Sequence, residues 1–402
     1  MITRLIHRIT RKHHHWRDAK FDELSEIYTS MTLRSFGFSI IGIFVPVYLY
    51  LNGISLRDIS LFYVMFFGIR AVTSLWIGKV VGHFGPKHSI AISTIILILF
   101  LLMLLTYSTY NWPLVLLALV FTIANGLFFV AYAVDFSKIR HKSHGGKELG
   151  WLYIFERVGS AAGPFVGGLI GSFISPEATI IFALLMLLLS LIPLFMSAEP
   201  VKTRQTINFK GLDMKLLKYD FIAHAGFNMS HLSSAVYWPL FIAVFVVSEN
   251  VYATLGSLVG VSMLVSMLSA HFSGKIIDSN KGFYVIRFGT IITLLSSVIR
   301  PFITTTAGAL AVTTLEEPTV VSYKIALVKG TFDRADSLEG HRIAYLTLAE
   351  LLASVSKGAV ALVIFVLSGF IDPGSVLQYS FIFTGALVLL MNLQDFPALR
   401  RR

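Results

Sequence analysis

Apolar runs of about 20 residues follow one another along this chain, separated by short polar connections, and a helix of about that length crosses a hydrocarbon layer. The runs predict helices over 31–51, 59–78, 88–108, 113–135, 150–173, 178–197, 219–247, 251–274, 283–303, 305–328, 342–368 and 375–394. The expected fold is an all-α integral membrane protein with twelve transmembrane helices. Charges within the runs keep a period of three, because the third, sixth and twelfth hold none and the ninth holds them only near its ends. A charge in hydrocarbon costs from roughly 3 to more than 10 kcal/mol and persists only where it faces protein or water. The charge-free spans are therefore suited to lipid, and the others must enclose something polar.

Composition points the same way: 55% of the 402 residues are hydrophobic and 14% charged, too few charges to cover a water-soluble surface. Basic residues set the orientation. The N-terminal segment and the connections after every even-numbered span hold Arg4, Arg8, Lys79, Lys87, Lys138, Arg140, Lys202, Arg204, Lys275, Lys281, Lys329 and Arg334, and the C-terminus ends in Arg400, Arg401 and Arg402. The opposite connections offer little beyond Arg57 and a membrane-edge Arg300. By the positive-inside rule both termini are cytoplasmic, in a multi-pass protein of the cell membrane. Topology thus accounts for the net charge of +11, and no nucleic-acid partner is expected.

Residues 1–29 lack an apolar core long enough for a cleavable signal. Ile2, Leu5, Ile6 and Ile9 recur at helical spacing opposite Arg4, Arg8, Arg11 and Lys12, the pattern of a cytoplasmic amphipathic helix lying on an anionic leaflet. His13, His14 and His15 are consecutive, and side chains about 100° apart on a helix cannot converge on one ion, so no metal site is expected. The chain has no cysteine, which excludes a disulfide framework and thiolate metal sites.

The chain also repeats at about half its length. GKVVG (78–82) aligns with GKIID (274–278), and Glu156, Ser160 and the pair Gly163–Pro164 align with Glu350, Ser354 and the pair Lys357–Gly358 at nearly the same offset. Two pseudo-symmetric six-helix bundles are expected, over 30–197 and 219–394, with a cytoplasmic linker at 198–218 and a basic tail at 395–402.

One segment is more specific. GWLYIFERVGSAAGPFVGG (150–168) carries Gly150, Gly159, Gly163, Pro164, Gly167 and Gly168 at the spacing of the helix 5 signature of the major facilitator superfamily, which the chain resembles from about residue 30 to 395. Gly159, Gly163 and Gly167 lie four apart on one face and admit a neighbouring backbone, while Pro164 removes one backbone hydrogen bond and bends the helix. A second signature, GKVVGHFGPK (78–87), keeps Gly78, Gly85 and Lys87 but has Gly82 in place of the family's Asp and His83 in place of its Arg. Its partner loop starts at Gly274 and keeps Asp278 beside Ser279 and Asn280. The resemblance implies that these loops latch the cytoplasmic gate and that Glu156 and Arg157 belong to a gate network. It further implies that spans 3, 6, 9 and 12 are scaffold, that 1, 4, 7 and 10 line a central cavity, and that 2, 5, 8 and 11 form the moving interface. Thr122 stands where exporters of the family often carry an arginine linked to proton coupling.

Charges deep in the spans are the candidates for function. Arg34, Arg70, Asn125, Asn228, His231, Glu316, Glu317 and Lys357 are candidates for the substrate cavity, and Glu316, Glu317, Glu350 and His231 for proton coupling, since a carboxyl or imidazole in poorly hydrated surroundings titrates near neutrality. Glu316 and Glu317 are adjacent, so only one can point straight into a cavity; the other is expected to pair with a basic neighbour.

No nucleotide-binding loop, HExxH or GxSxG motif is present, so neither ATP hydrolysis nor an enzyme activity is indicated, and no cofactor is expected. What remains is a secondary active transporter, monomeric, working by alternating access on a small-molecule substrate with a proton or sodium ion. Proton-coupled export of a small organic or amphipathic compound follows from the helix 5 signature. Uptake of a sugar-like or anionic nutrient is the alternative that Thr122 and Arg70 favour, and a non-transporting scaffold or receptor on the same fold is a third.

Overall fold

The computed structural model describes residues 20–139, 145–196, 209, 212–247, 249–277, 281–338, 340–396 and 399. Among these residues every regular element is a helix: α1 (Lys20–Gly42, continued by Val45–Leu51), α2 (Leu56–Phe84), α3 (Pro86–Leu105), α4 (Leu114–Ile139), α5 (Gly145–Phe173) and α6 (Pro176–Leu194). The second half holds α7 (Met214–Leu232, continued to Val246), α8 (Val251–Ile276), α9 (Gly282–Ile299), α10 (Thr306–Ser337), α11 (Arg342–Leu367) and α12 (Pro373–Leu387, continued to Leu393). Local chemistry sets the starts. Ser55, Ser175, Asp213 and Asp372 each accept hydrogen bonds from backbone amides of the first turn that follows, and Pro86, Pro176 and Pro373 occupy first turns, where a missing N–H costs nothing. Gly85 divides α2 from α3 at φ 85°, a left-handed conformation that glycine adopts without strain.

Nine helices among the described residues are long and apolar enough to cross a membrane. The other three named helices fall short for local reasons. The α2 helix is bent by 58° between Leu56–Ser74 and Trp76–Phe84, and α5 counts only as the apolar stretch Val158–Phe173. In α10, Glu316, Glu317, Lys324, Lys329, Asp333 and Arg334 all lie in one helix of 32 residues. α7 changes its winding twice, at Ser233–Tyr237 and Ile242–Val246, where the turns widen to i→i+5 bonding; such turns rotate the side chains that follow them.

The halves use the same packing scheme. Contacts of α1 with α5 and α6, of α4 with α2 and α3, and of α3 with α6 recur, shifted by six helices, as α7 with α11 and α12, α10 with α8 and α9, and α9 with α12. The halves meet chiefly through α2 against α11 and α5 against α8. Large apolar side chains stay exposed on the outward faces of α3 (Ile95, Leu99), α6 (Leu185, Leu188), α9 (Phe288, Leu295) and α12 (Tyr379, Phe383), as contact with acyl chains requires.

The two ends of the molecule differ. Around the connections at 52–55 and 368–372, one buried cluster draws Phe44, Phe62 and Phe66 from the first half together with Tyr237, Trp238, Tyr252 and Ile364 from the second. Rings meet across the halves there, Phe44 with Tyr252 at 5.1 Å and Tyr63 with Tyr237 at 6.4 Å, and Arg57 lies 4.9 Å from the Phe365 ring. At the opposite end the buried clusters of described residues are each confined to one half: Tyr28, Ile77, Val81 and Leu194 in the first, Phe227, Ile277, Leu327 and Phe396 in the second. Among the described residues, then, a buried apolar cluster joins the halves at one end, and the clusters at the other end stay within single halves.

Candidate functional site

The α5 glycines serve two neighbours. Gly159, Gly163 and Gly167 lie against the backbone of α1 at Thr32, Ser39 and Ile40, within their own half. Gly168 faces the other half, where an added Cβ would meet Tyr252 O at 2.5 Å and Gly256 Cα at 3.1 Å. Backbones this close slide on small residues alone, and the amide of Ala253 donates to Ser172 Oγ (3.0 Å) across the same contact.

Where α2 meets α11, toward the middle of both helices, Arg70 forms an ion pair with Glu350 that joins the halves. The Arg70 guanidinium also lies 5.0 Å from the ring of Phe129 on α4, and Phe129 is 45% exposed. Glu350 has a side chain 29% exposed, against 8% for Arg70. Two helical turns along α11, Lys357 Nζ lies 5.7 Å from the Phe67 ring, within electrostatic range of Arg70, Glu350 and Lys324. Cations over aromatic faces recover part of the solvation that a poorly hydrated site withholds.

A second pair lies within one half. Arg300 contacts Glu316 at 2.8 Å, both side chains being 3% exposed. Ser234 Oγ donates to Glu316 Oε1 (3.0 Å) and accepts from Arg300 Nη1 (3.0 Å), and Arg300 lies 4.9 Å from the Trp238 ring. Arg300 stands at the end of the span Gly282–Phe302, and its side chain is the buried counter-ion of Glu316, a pairing the sequence reading did not make. A burial-minded reading had one usable signal, since a carboxylate deep in α10 needs a cation from a neighbouring span. Glu316 points into this triad; its neighbour Glu317 is half-buried.

The other predicted residues are distributed along both halves. Arg34 is buried, with Cζ 3.3 Å from the Phe128 ring and its Nε directed at Thr94 Oγ1 (3.4 Å). Asn125 and Asn228 are buried and each donates to the carbonyl one turn back, Phe121 O at 2.9 Å and His224 O at 2.8 Å. His231 stacks obliquely on Phe227 at 5.4 Å. Thr122 donates to Phe66 O (2.9 Å), tying α4 to α2. Of the loop signature, Lys87 is buried and reaches Glu26 on α1 at 3.7 Å, Gly78 is a buried residue of α2, and Gly274 lies in the last turn of α8. Asp278 and the side chains of Glu156 and Arg157 lie outside the described residues. Sequence reasoning also missed Asp220, fully buried and paired with Arg334 at 2.7 Å, with Asp395 N closing the contact at 3.1 Å.

Two helix groups with the same packing scheme, joined by a shared apolar cluster and by an ion pair between them, are the architecture of a membrane transporter. The chain belongs to the Major Facilitator Superfamily, whose family profile matches residues 27–323. No curated protein matches its sequence. Among solved structures it is similar to a bacterial homologue of the iron transporter ferroportin, crystallised in an outward-facing state, at 14% identity and TM-score 0.65, covering 92% of this chain and 97% of that one. The same homologue with soaked iron gives TM-score 0.66 at 14% identity over the same shares.

Proposed function

We propose that the protein is a proton-coupled secondary active transporter of a small organic solute, with twelve spans, both termini cytoplasmic, and bundles over 30–197 and 219–394. The observation that carries this reading is the contrast between one apolar cluster shared by both halves at one end and separate clusters at the other. With the orientation given by the basic connections, the closed end is extracellular and the state is inward-facing, whereas the ferroportin homologue is outward-facing. Export, for which the helix 5 signature speaks, is the preferred direction. Iron is named for that homologue and is not carried over to this chain.

A coupling carboxylate must meet different surroundings in the two states, because a ligand shifts an equilibrium only by its differential affinity. Glu350 meets that condition, since Arg70 comes from the opposite half; Glu316 has its partners within its own half. Proteoliposomes under an imposed pH gradient, screened against metabolites and drugs, test the reading. Gradient-driven flux should appear and Glu350→Gln should uncouple it from the gradient; no flux of any solute from folded protein would favour a non-transporting scaffold.

A further inference from the structure

The cluster at the α2–α11 contact allows the substrate class of the proposed transporter to be named, and this step rests on that reading. Arg70 belongs to the first half and Lys357 to the second. Arg70 is paired with Glu350, while Lys357 forms no ion pair among the described residues and lies over Phe67. The carboxylate is the more exposed partner, at 29% against 8%, and it belongs to a long, flexible side chain. Lys357 follows Glu350 by seven positions, which places them about 10 Å apart along one face of α11. Phe129, 45% exposed, flanks Arg70 with an apolar surface.

We infer that Arg70 and Lys357 form a binding site for a small organic anion, a carboxylate or a phosphate monoester, and that Glu350 is the internal carboxylate the anion displaces. The guanidinium presents a fork of donors that matches a carboxylate or phosphate edge, so an incoming anion can take over the contact Glu350 makes now. Its remaining length then runs toward Lys357, where a second negative charge or a hydroxyl finds the ammonium. Bound this way the anion bridges the two halves, as Glu350 does without it. A cation would meet Arg70 and Lys357 with the single carboxylate of Glu350 against them. A neutral solute would have to leave the Arg70–Glu350 pair intact or break it without replacing either partner, which is costly in a poorly hydrated site.

The test is thermal unfolding of the purified full-length protein with succinate, inorganic phosphate or glucose 6-phosphate, against glucose and tetraphenylphosphonium at matched ionic strength. At least one anion should raise the midpoint saturably, as binding to the folded state does. Arg70→Gln should abolish that shift, Arg70→Lys should retain part of it, and Lys357→Gln should weaken it. Glu350→Gln should bind the same anion about tenfold more tightly, because the competitor is gone; a misfolded variant cannot imitate this gain. Midpoints that respond to glucose or tetraphenylphosphonium but to no anion, or a Glu350→Gln protein that binds anions no better than the wild type, overturn the assignment. Flux of some solute without anion binding would likewise overturn it and leave the transport reading standing. Anion binding with the stated Arg70 and Glu350 dependence, but without flux, would leave the site standing and overturn the transport reading.

Discussion

The two buried arginine–glutamate pairs occupy different structural settings. Arg300 and Glu316 sit inside the second half, where α7, α9 and α10 converge, with Ser234 between them and both side chains 3% exposed. Arg70 and Glu350 come from opposite halves, and the Glu350 side chain is 29% exposed. Taking an ion out of water costs several kcal/mol even after relaxation. Within a half that cost is incurred once, on folding. Between halves it recurs whenever the interface rearranges, and a partly wet carboxylate keeps it small. On the proposed mechanism the inner pair stays closed and the outer one exchanges partners.

The largest effect should come from breaking the inner pair. Glu316→Gln leaves Arg300 buried without a counter-charge and should destabilise the protein by about 3–5 kcal/mol, seen as a lower thermal midpoint in detergent. Replacing both members, Arg300→Met with Glu316→Leu, should recover most of that loss; an unaffected midpoint in the single variant would show that the pair is hydrated. Next is the contact between α5 and α8. Gly168→Leu forces a side chain against Tyr252 O and should cost about 1–3 kcal/mol, with cysteine labelling at the 52–55 connection rising as the closed end loosens. A smaller loss, about 1 kcal/mol, is expected for Trp238→Phe, which removes the indole hydrogen bond to Thr313 Oγ1 at 3.0 Å. Glu350→Gln should cost less than Glu316→Gln, because the Glu350 carboxylate is partly solvated although Arg70 is not. Its consequence should fall on transport instead, and a stability loss as large as that of Glu316→Gln would erase the distinction between the pairs.

Much of this architecture was legible in the chain. Apolar run length located the helices to within a few residues at most ends, although α10 continues to Ser337 and α2 to Phe84, because helices outlast the hydrocarbon when their last turns are polar. The six-helix offset seen in GKVVG and GKIID reappears in the packing. Side-chain direction was not legible. Sequence spacing placed Gly159, Gly163 and Gly167 on one face but could not say that this face meets α1 while Gly168 meets α8. Nor could it phase α7, where Ser234 lies in the first of two widened turns and contacts both Arg300 and Glu316. The partner of Arg300 was hidden for a related reason: the residue stands at the span edge, as its position suggested, and its long side chain turns back into the bundle to reach Glu316.

The central claim is that the two ends open in alternation. The chain has no cysteine, so spin labels can be attached at Asn52 with Phe370 across the closed end and at Val80 with Ser337 across the parted end, all positions exposed. Pulsed electron–electron distance measurements at varied pH, with and without a bound anion, should show a second population in which the first distance lengthens and the second shortens, in equal proportion. Two distances that stay fixed under every condition, or that lengthen together, would contradict the account.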